Sequence, residues 1–301
     1  MYLIEYKDVT KKFPKKGGGL QTILNNVNLN IQPGEFVTLI GGSGSGKTTL
    51  FNHLLGTLTP TTGTVSLNGK VIDNVGPDRG IVPQRYSLFP NMTVLDNIAF
   101  GIMLSETTNL QGACFTPDYL RTRRRALEES QALLPELGLE PSDGDRYPFE
   151  LSGGMRQRVA LGTAVIMKPT VLMMDEPFGA LDPETSMKMQ RLILRIWKEQ
   201  KLTIIFVTHR MEEAVYLGTR VIGLSKYWTD DAGQPGEGST IILDRQVSEP
   251  HPRPESFMDT PEFHTVCTNI HRLVLDTTRR VPRSQFDLSH PDVARTSEVA
   301  Q

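Results

Sequence analysis

Cysteine is scarce in this sequence: two residues in 301, Cys114 and Cys267, far apart. Neither has metal-ligand spacing, so both read as reduced thiols, in keeping with a reducing compartment rather than a disulfide scaffold. No apolar run approaches the ~20 residues a membrane span needs. The first residues, from Met1 to Asp8, alternate polar and apolar side chains. They show no basic stretch followed by an apolar one, so they read as a strand and not as a secretory signal. Any membrane role must then work through a partner. Neither sign of charge dominates, since 32 Lys and Arg face 34 Asp and Glu for a formal net charge of −2. That balance gives no electrostatic reason to expect nucleic acid. Internal repeats and sustained heptads are also absent.

What remains is an ordinary globular balance. Hydrophobic residues make up 38% and charged residues 22%, enough to fill a sizeable core. The length allows two domains of roughly 150 residues, or one large α/β domain carrying an insert. Residues 36–40 (Phe-Val-Thr-Leu-Ile) read as a buried strand, followed by a glycine loop and a helix from Thr48. Two more buried strands are expected at 171–174 and 203–207, with a helix between them from Glu184 to Gln200. Strands alternating with helices argue for a parallel sheet covered on both faces. Residues 3–9, 27–31 and 64–67 read as half-exposed strands forming an antiparallel addition. Residues from about 90 to 160 lack strand character and read as an inserted helical subdomain, with a surface loop at 105–117. A hairpin tip is expected at 226–239, a linker at Pro250, Pro252 and Pro254, a short helix at 262–275, and a mobile polar tail from Pro282.

The glycine loop fits G-x-x-x-x-G-K-[ST] on Gly41, Gly46, Lys47 and Thr48. Its full span is Gly41, Gly42, Ser43, Gly44, Ser45, Gly46, Lys47, Thr48 and Thr49. Glycines let backbone N–H groups converge on phosphate oxygens, and the helix N-terminus adds positive partial charge. Lys47 would reach the β- and γ-phosphates and the Thr48 hydroxyl would hold Mg²⁺. A chance glycine turn is the alternative, and strand–loop–helix order argues against it. By itself the loop says only nucleoside triphosphate. The run Val171-Leu172-Met173-Met174-Asp175-Glu176 sets two acids at the C-terminal end of a core strand, where ligands bind in open α/β sheets. Asp175 would support Mg²⁺, and Glu176 would accept a proton from the attacking water. The competing account is a pair of acids favouring a helix N-terminus. Ser152, Gly153 and Gly154 precede another helix and form a second anion-binding nest. Two nests for one triphosphate point to a dimer, in which this nest closes on the ATP of the other chain.

The run from Leu151 to Arg158 resembles the signature motif of ABC ATPases, and the rest follows in that family's order. The resemblance covers about residues 2–245. It implies that Gln84 is the glutamine touching Mg²⁺ and the attacking water. Asp182, in Ala180-Leu181-Asp182, would belong to the loop crossing the dimer interface. His209 would be the histidine contacting the γ-phosphate, and Phe13 the aromatic stacking on adenine. It further implies a P-loop (RecA-like) α/β core with an antiparallel β addition and the helical insert, as residues 1–245, with 246–301 as a C-terminal extension. Residues 77–90, 177–182 and 216–221 are similar to importer ATPases of the nitrate, sulfonate and taurine group, including a branch associated with urea metabolism. Expected partners are a second copy or a related ATPase, permease subunits and, indirectly, a solute-binding protein, at the cytoplasmic face of the cell membrane.

Two positions depart from the family pattern. Gly162-Thr163 stands where an alanine-arginine pair is usual, and Arg210 follows His209 where Asp is usual. Other readings are a soluble ABC ATPase outside transport and a regulatory nucleotide-binding module. One motif set and no coiled coil argue against the first, and Glu176 with His209 against the second. Arg121, Arg123, Arg124 and Arg125 read as a solvated helix face, with contact to anionic lipid as the alternative.

Overall fold

The structure, a computed structural model, describes residues 1–84, 87–106 and 116–293. In chain order the elements are β1 (Ile4–Pro14), β2 (Leu20–Ile31), β3 (Phe36–Gly41), α1 (Lys47–Leu55), β4 (Thr62–Leu67), β5 (Lys70–Val71) and β6 (Arg79–Val82). Then come α2 (Val94–Glu106), α3 (Pro117–Leu133), α4 (Gly153–Val165), β7 (Val171–Asp175), α5 (Pro183–Gln200), β8 (Thr203–Val207) and α6 (Met211–Leu217). The last are β9 (Arg220–Ser225), β10 (Trp228–Thr229), β11 (Thr240–Gln246), α7 (Pro261–Ile270) and β12 (Val281–Pro282). The chain divides into two compact units, Met1–Gly76 with Thr203–Gln301, and Pro77–Leu202. No helix among the described residues is long and apolar enough to cross a membrane.

The first unit carries the expected antiparallel sheet, in the order β2-β1-β4-β5. Alternation explains its one-sided burial: Ile4, Tyr6 and Val9 of β1 and Leu24, Val27, Leu29 and Ile31 of β2 point inward. In the same unit β11, β9, β3 and β8 lie side by side. β3 is parallel to both neighbours, and β11 is antiparallel to β9. β3 and β8 are buried at every position, as strands covered on both faces must be.

Fully buried Arg220 ties this sheet together. Its guanidinium donates to both Asp244 oxygens at 2.7 Å, to the Asn30 carbonyl at 2.7 Å and to Glu35 at 3.2 Å. The Asp244 hydrogen bonds and the negative charge of Asp244 and Glu35 outweigh the cost of burial and raise the Arg220 pKa.

Residues after Gln246 pack on this unit. The expected helix at 262–275 is α7, ending at Ile270, and a π-turn from His271 to Leu275. Phe263, Ile270 and Val274 are buried. Val274 fills the notch over Gly223 of β9, where an added Cβ would lie 2.5 Å from its Cγ2. Arg253, in the proline-rich stretch read as a linker, is 3% exposed. It donates to the carbonyls of Val215, Tyr216 and Gly218, occupying acceptors that the end of α6 leaves open. Beyond Pro282, where the sequence suggests a mobile tail, residues up to 293 form a strap along β11. Asp244 N–H donates to the Asp287 carbonyl (2.7 Å), Asp287 N–H to Ile242 (3.0 Å), and His290 N–H to Asp244 (2.9 Å). These bonds occupy backbone groups on the outer edge of β11. They are main-chain bonds, so no side-chain pattern announces them.

In the second unit β6 and β7 are parallel. Helices α2, α3 and α4 occupy the span in which the sequence shows no strand, and α2 packs on both others. Gly162, at one departure from the family pattern, has a packing reason: a Cβ there would meet Leu137 Cδ1 at 2.6 Å and Ile98 at 3.3 Å. Its neighbour Thr163 donates its hydroxyl to the Val159 carbonyl within α4. Helix α5 buries Met189, Leu192, Ile193 and Ile196 along one stripe. Arg121, Arg123 and Arg125 pair with Asp118, Asp96 and Glu106, so three charges of the basic run are met by neighbouring carboxylates. Arg85, Tyr86, Cys114 and the expected loop's residues 107–115 lie outside the described residues.

Candidate nucleotide site

Two parallel strand pairs set the chemistry-bearing residues. In the first unit Leu39 of β3 pairs with Val207 of β8, so Gly41 and His209 each stand two residues past the same rung. In the second unit Val82 of β6 pairs with Met174 of β7, so Gln84 and Glu176 stand in the same relation. All four leave the carboxyl ends of their strands, the end at which open α/β sheets bind ligands.

The glycine loop in the first unit is a nest. Gly44 and Gly46 adopt φ of 72° and 83°, and Ser45 N–H donates to the Gly42 carbonyl at 3.1 Å. Alternating backbone hands of this kind turn successive N–H groups into one concavity. Helix α1 begins at Lys47, so its first-turn N–H groups open onto the loop. Gly41 admits no side chain, because a Cβ would lie 2.4 Å from Ser45 Oγ and 2.6 Å from the Leu224 carbonyl. Ser45 is buried, and its hydroxyl has no hydrogen-bond partner among the described residues. An orphaned buried hydroxyl inside an N–H nest fits a phosphate oxygen acceptor. Lys47 Nζ donates to the Gly41 carbonyl at 2.7 Å, so its ammonium is held within the loop. Ser43, Gly44 and Thr48 are exposed, while Gly42 and Thr49 are half-buried. Phe13 is partly exposed, with the Lys11 ammonium 5.1 Å from its ring centre. His209 is exposed, directly after buried Thr208.

In the second unit Gln84 Nε2 donates to Glu176 Oε2 at 3.1 Å. Glu176 has φ of 45°, a left-handed conformation that a non-glycine residue rarely adopts. Asp175, the last residue of β7, is half-buried. Asp182 is the N-cap of α5: its carboxylate accepts the Thr185 N–H at 3.0 Å, and that bond lowers its pKa. Ser152 is the N-cap of α4 and accepts the Met155 N–H at 3.2 Å. A Cβ on Gly153 would meet nothing within 4 Å, so that face of the second nest is open.

Sequence reasoning passed over two features. Lys226 follows β9 and brings its ammonium 3.8 Å from where a Gly44 Cβ would stand. No motif spans that separation. The second is a closed ring of contacts through Thr208, Arg210 and Glu213.

A family model described as ABC transporter matches residues 24–179. The chain belongs to that family. The match spans the glycine loop, Gln84, Ser152 and Glu176. A nitrate import ATP-binding protein of Synechocystis sp. is 38% identical over 90% of this chain and 94% of its own length. A bicarbonate transport ATP-binding protein of Synechococcus elongatus is 38% identical over 89% of this chain but only 37% of its own. Among solved structures, an ATP-binding cassette captured as a dimer with ADP and Pi is 29% identical, with a TM-score of 0.62, and covers 82% of this chain and 99% of its own. The fold is therefore that of the ABC ATPase cassette, and the chain is an ABC-type ATPase that binds ATP.

Among the described residues, one cluster of a metal-binding kind lies elsewhere. Ligand atoms of Glu35, His290 and Asp292 all fall within 4.8 Å of one another. His290 Nδ1 accepts the Asp292 N–H at 3.1 Å, which puts the ring proton on Nε2, facing Glu35 at 3.8 Å. Glu35 also meets the Arg220 guanidinium. The Arg220 guanidinium thus already places a cation beside Glu35.

Proposed function

We propose that this chain is the ATP-hydrolysing subunit of an importer for a small solute of the nitrate, sulfonate, taurine or urea-like class. It acts as a dimer beside separate permease subunits, at the cytoplasmic face of the membrane, with a solute-binding protein as indirect partner. The observation that carries the reading is Glu176, at the end of a core strand and engaged by Gln84, in a chain that also holds a complete phosphate nest. The importer assignment is supported by the two relatives named for nitrate import and bicarbonate transport.

In this reading residues 41–49 hold the triphosphate, Lys47 neutralises its β- and γ-phosphates, and Phe13 stacks on adenine. Ser152, Gly153 and Gly154 of one protomer close on the ATP of the other, and Asp182 lies at the dimer contact. Glu176 takes the proton of the attacking water, Gln84 orients that water, and His209 contacts the γ-phosphate. Catalysis is then positioning and charge stabilisation. Mg²⁺, which the family implies, suits the oxygen donors of Thr48, Gln84 and Asp175, and when bound neutralises phosphate charge. In the second unit Phe89, 4.6 Å from Phe100 between ring centres, and exposed Leu104 offer apolar surface to short helices of a permease.

Glu176→Gln should bind ATP, trap a dimer and cut turnover by at least about 100-fold, the scale of general acid–base catalysis, while Lys47→Ala should lose ATP binding. ATPase assays with size-exclusion chromatography read both. Near-normal turnover in Glu176→Gln would refute the assignment of the base.

A further inference from the structure

Arg210 follows His209 where the family usually has aspartate, and the structure shows what surrounds it. Glu213, on the first turn of α6, is a carboxylate only 5% exposed. Its Oε2 accepts the Thr208 hydroxyl at 2.8 Å. Thr208 Oγ1 in turn accepts the backbone N–H of Arg210 at 3.0 Å. The Arg210 guanidinium returns to Glu213 Oε1 at 3.0 Å. That last contact lacks the alignment of a hydrogen bond, so it acts by charge. The three contacts close a ring through residues 208, 210 and 213. His209 is the one residue between the two ring members closest in sequence.

We propose that Arg210 is a positioning residue for His209, acting through Glu213 and Thr208. A buried carboxylate needs an opposite charge or several donors to stay ionised. Burial pushes the Glu213 carboxyl up; the Thr208 hydrogen bond, Arg210 and His209 draw it down; Glu212 opposes them. Arg210 thus supplies counter-charge to the group that anchors Thr208. Thr208 N–H is itself fixed to the Leu39 carbonyl of β3 at 3.2 Å, so the ring is anchored on the strand that leads into the phosphate loop. An aspartate at position 210 would set a second carboxylate against Glu213. Arg210 therefore has a defined partner within this chain, and Arg210→Asp would disturb the ring.

The inference rests on the assignment of His209 to the γ-phosphate, and the test separates the two. Full-length Arg210→Asp, Arg210→Lys, Arg210→Ala, the Arg210→Ala/Glu213→Gln double variant and His209→Ala are compared with wild type. Two readouts are taken: kcat and KM for Mg-ATP, and hydrogen exchange at the Arg210 amide, which reports on the ring without turnover. Arg210→Asp should lower kcat about tenfold, within the range a small misplacement costs, leave KM within about twofold, and speed exchange. Arg210→Lys should keep both near wild type. The double variant should recover part of the Arg210→Ala loss, because the neutral amide that replaces the Glu213 carboxylate needs no counter-charge. Wild-type kcat and exchange in Arg210→Asp overturn the proposal, as does Arg210→Lys failing as badly as Arg210→Asp. Wild-type turnover in His209→Ala removes the catalytic role of His209, and amide exchange then still decides whether Arg210 holds the ring.

Discussion

Arg220→Met should be among the most destabilising single substitutions in the first unit. The methionine retains much of the side chain's apolar reach, so little packing is lost. What is lost is the partner of Asp244, whose side chain is 3% exposed and whose two oxygens accept only from Arg220 among the described residues. The Asn30 carbonyl and Glu35 lose a donor as well. Breaking a buried ion pair by removing one member costs about 3–5 kcal/mol, because the survivor is left charged and unsolvated. Set against a typical stability of about 5–15 kcal/mol, that is a large share. A unit of this size loses roughly 2–4 °C of Tm per kcal/mol, so the first unfolding transition should fall by roughly 6–20 °C. Differential scanning calorimetry at neutral pH reads it. The control is Arg220→Met/Asp244→Leu, which removes both charges and should regain most of the loss. A single variant within about 1 kcal/mol of wild type, or a double variant no better than the single, would refute the account of Arg220 as the charge that makes Asp244 tolerable.

Three further expectations follow from local geometry. Gly46→Ala should raise KM for ATP more than Gly44→Ala: both strain a positive φ, but only at Gly46 does the new Cβ strike a neighbour, Leu24 Cδ2 at 2.7 Å. Equal steady-state KM values for the two would count against this. The His251 pKa is depressed to about 4 by burial and by the Arg253 charge. A depressed pKa means the stabilisation is complete above about 6.5 and drains away as pH falls toward 4. Tm measured across that window should therefore drop, and His251→Gln should flatten the curve; an unchanged slope in the variant would exclude His251 as its source. Deleting residues from Phe286 onward should uncover the edge of β11 and promote self-association, read by light scattering, whereas a persistently monodisperse truncation would show that the strap does not guard that edge.

Much of the cassette was legible because its chemistry requires contiguous residues. The phosphate loop must be read through successive backbone N–H groups, so residues 41–49 declare themselves in one stretch. The buried strands 36–40, 171–174 and 203–207 are short apolar runs bounded by turn residues, the pattern a doubly covered strand must have. The one-sided sheet of β1, β2 and β4 showed in its alternation. What stayed hidden depends on residues far apart in sequence or on the backbone itself. The pairing of Arg220 with Asp244 and Glu35 links three segments, and no periodicity predicts it. Arg253 looked like part of a linker because prolines flank it, yet its guanidinium caps a helix lying before it in sequence. The strap at 286–293 is polar and held by main-chain bonds, which no side-chain pattern encodes. Gly162, where the family usually has alanine, gave no sign in the sequence of its reason, which is a close approach of Leu137 and Ile98.

With Glu176 as the proposed base, its left-handed backbone sets stability against turnover at a single position. An L-residue held there costs about 1–2 kcal/mol that glycine would not. Glu176→Gly should therefore melt no lower than wild type while losing hydrolysis, and a clear fall in Tm would show that the strain is not there to be released. A selection for heat resistance alone would tend to discard the glutamate and enrich chains that hold ATP without splitting it. Thermal screens of this protein would, with Glu176 as the proposed base, need an activity gate, because the most robust molecule and the working one would then be different molecules.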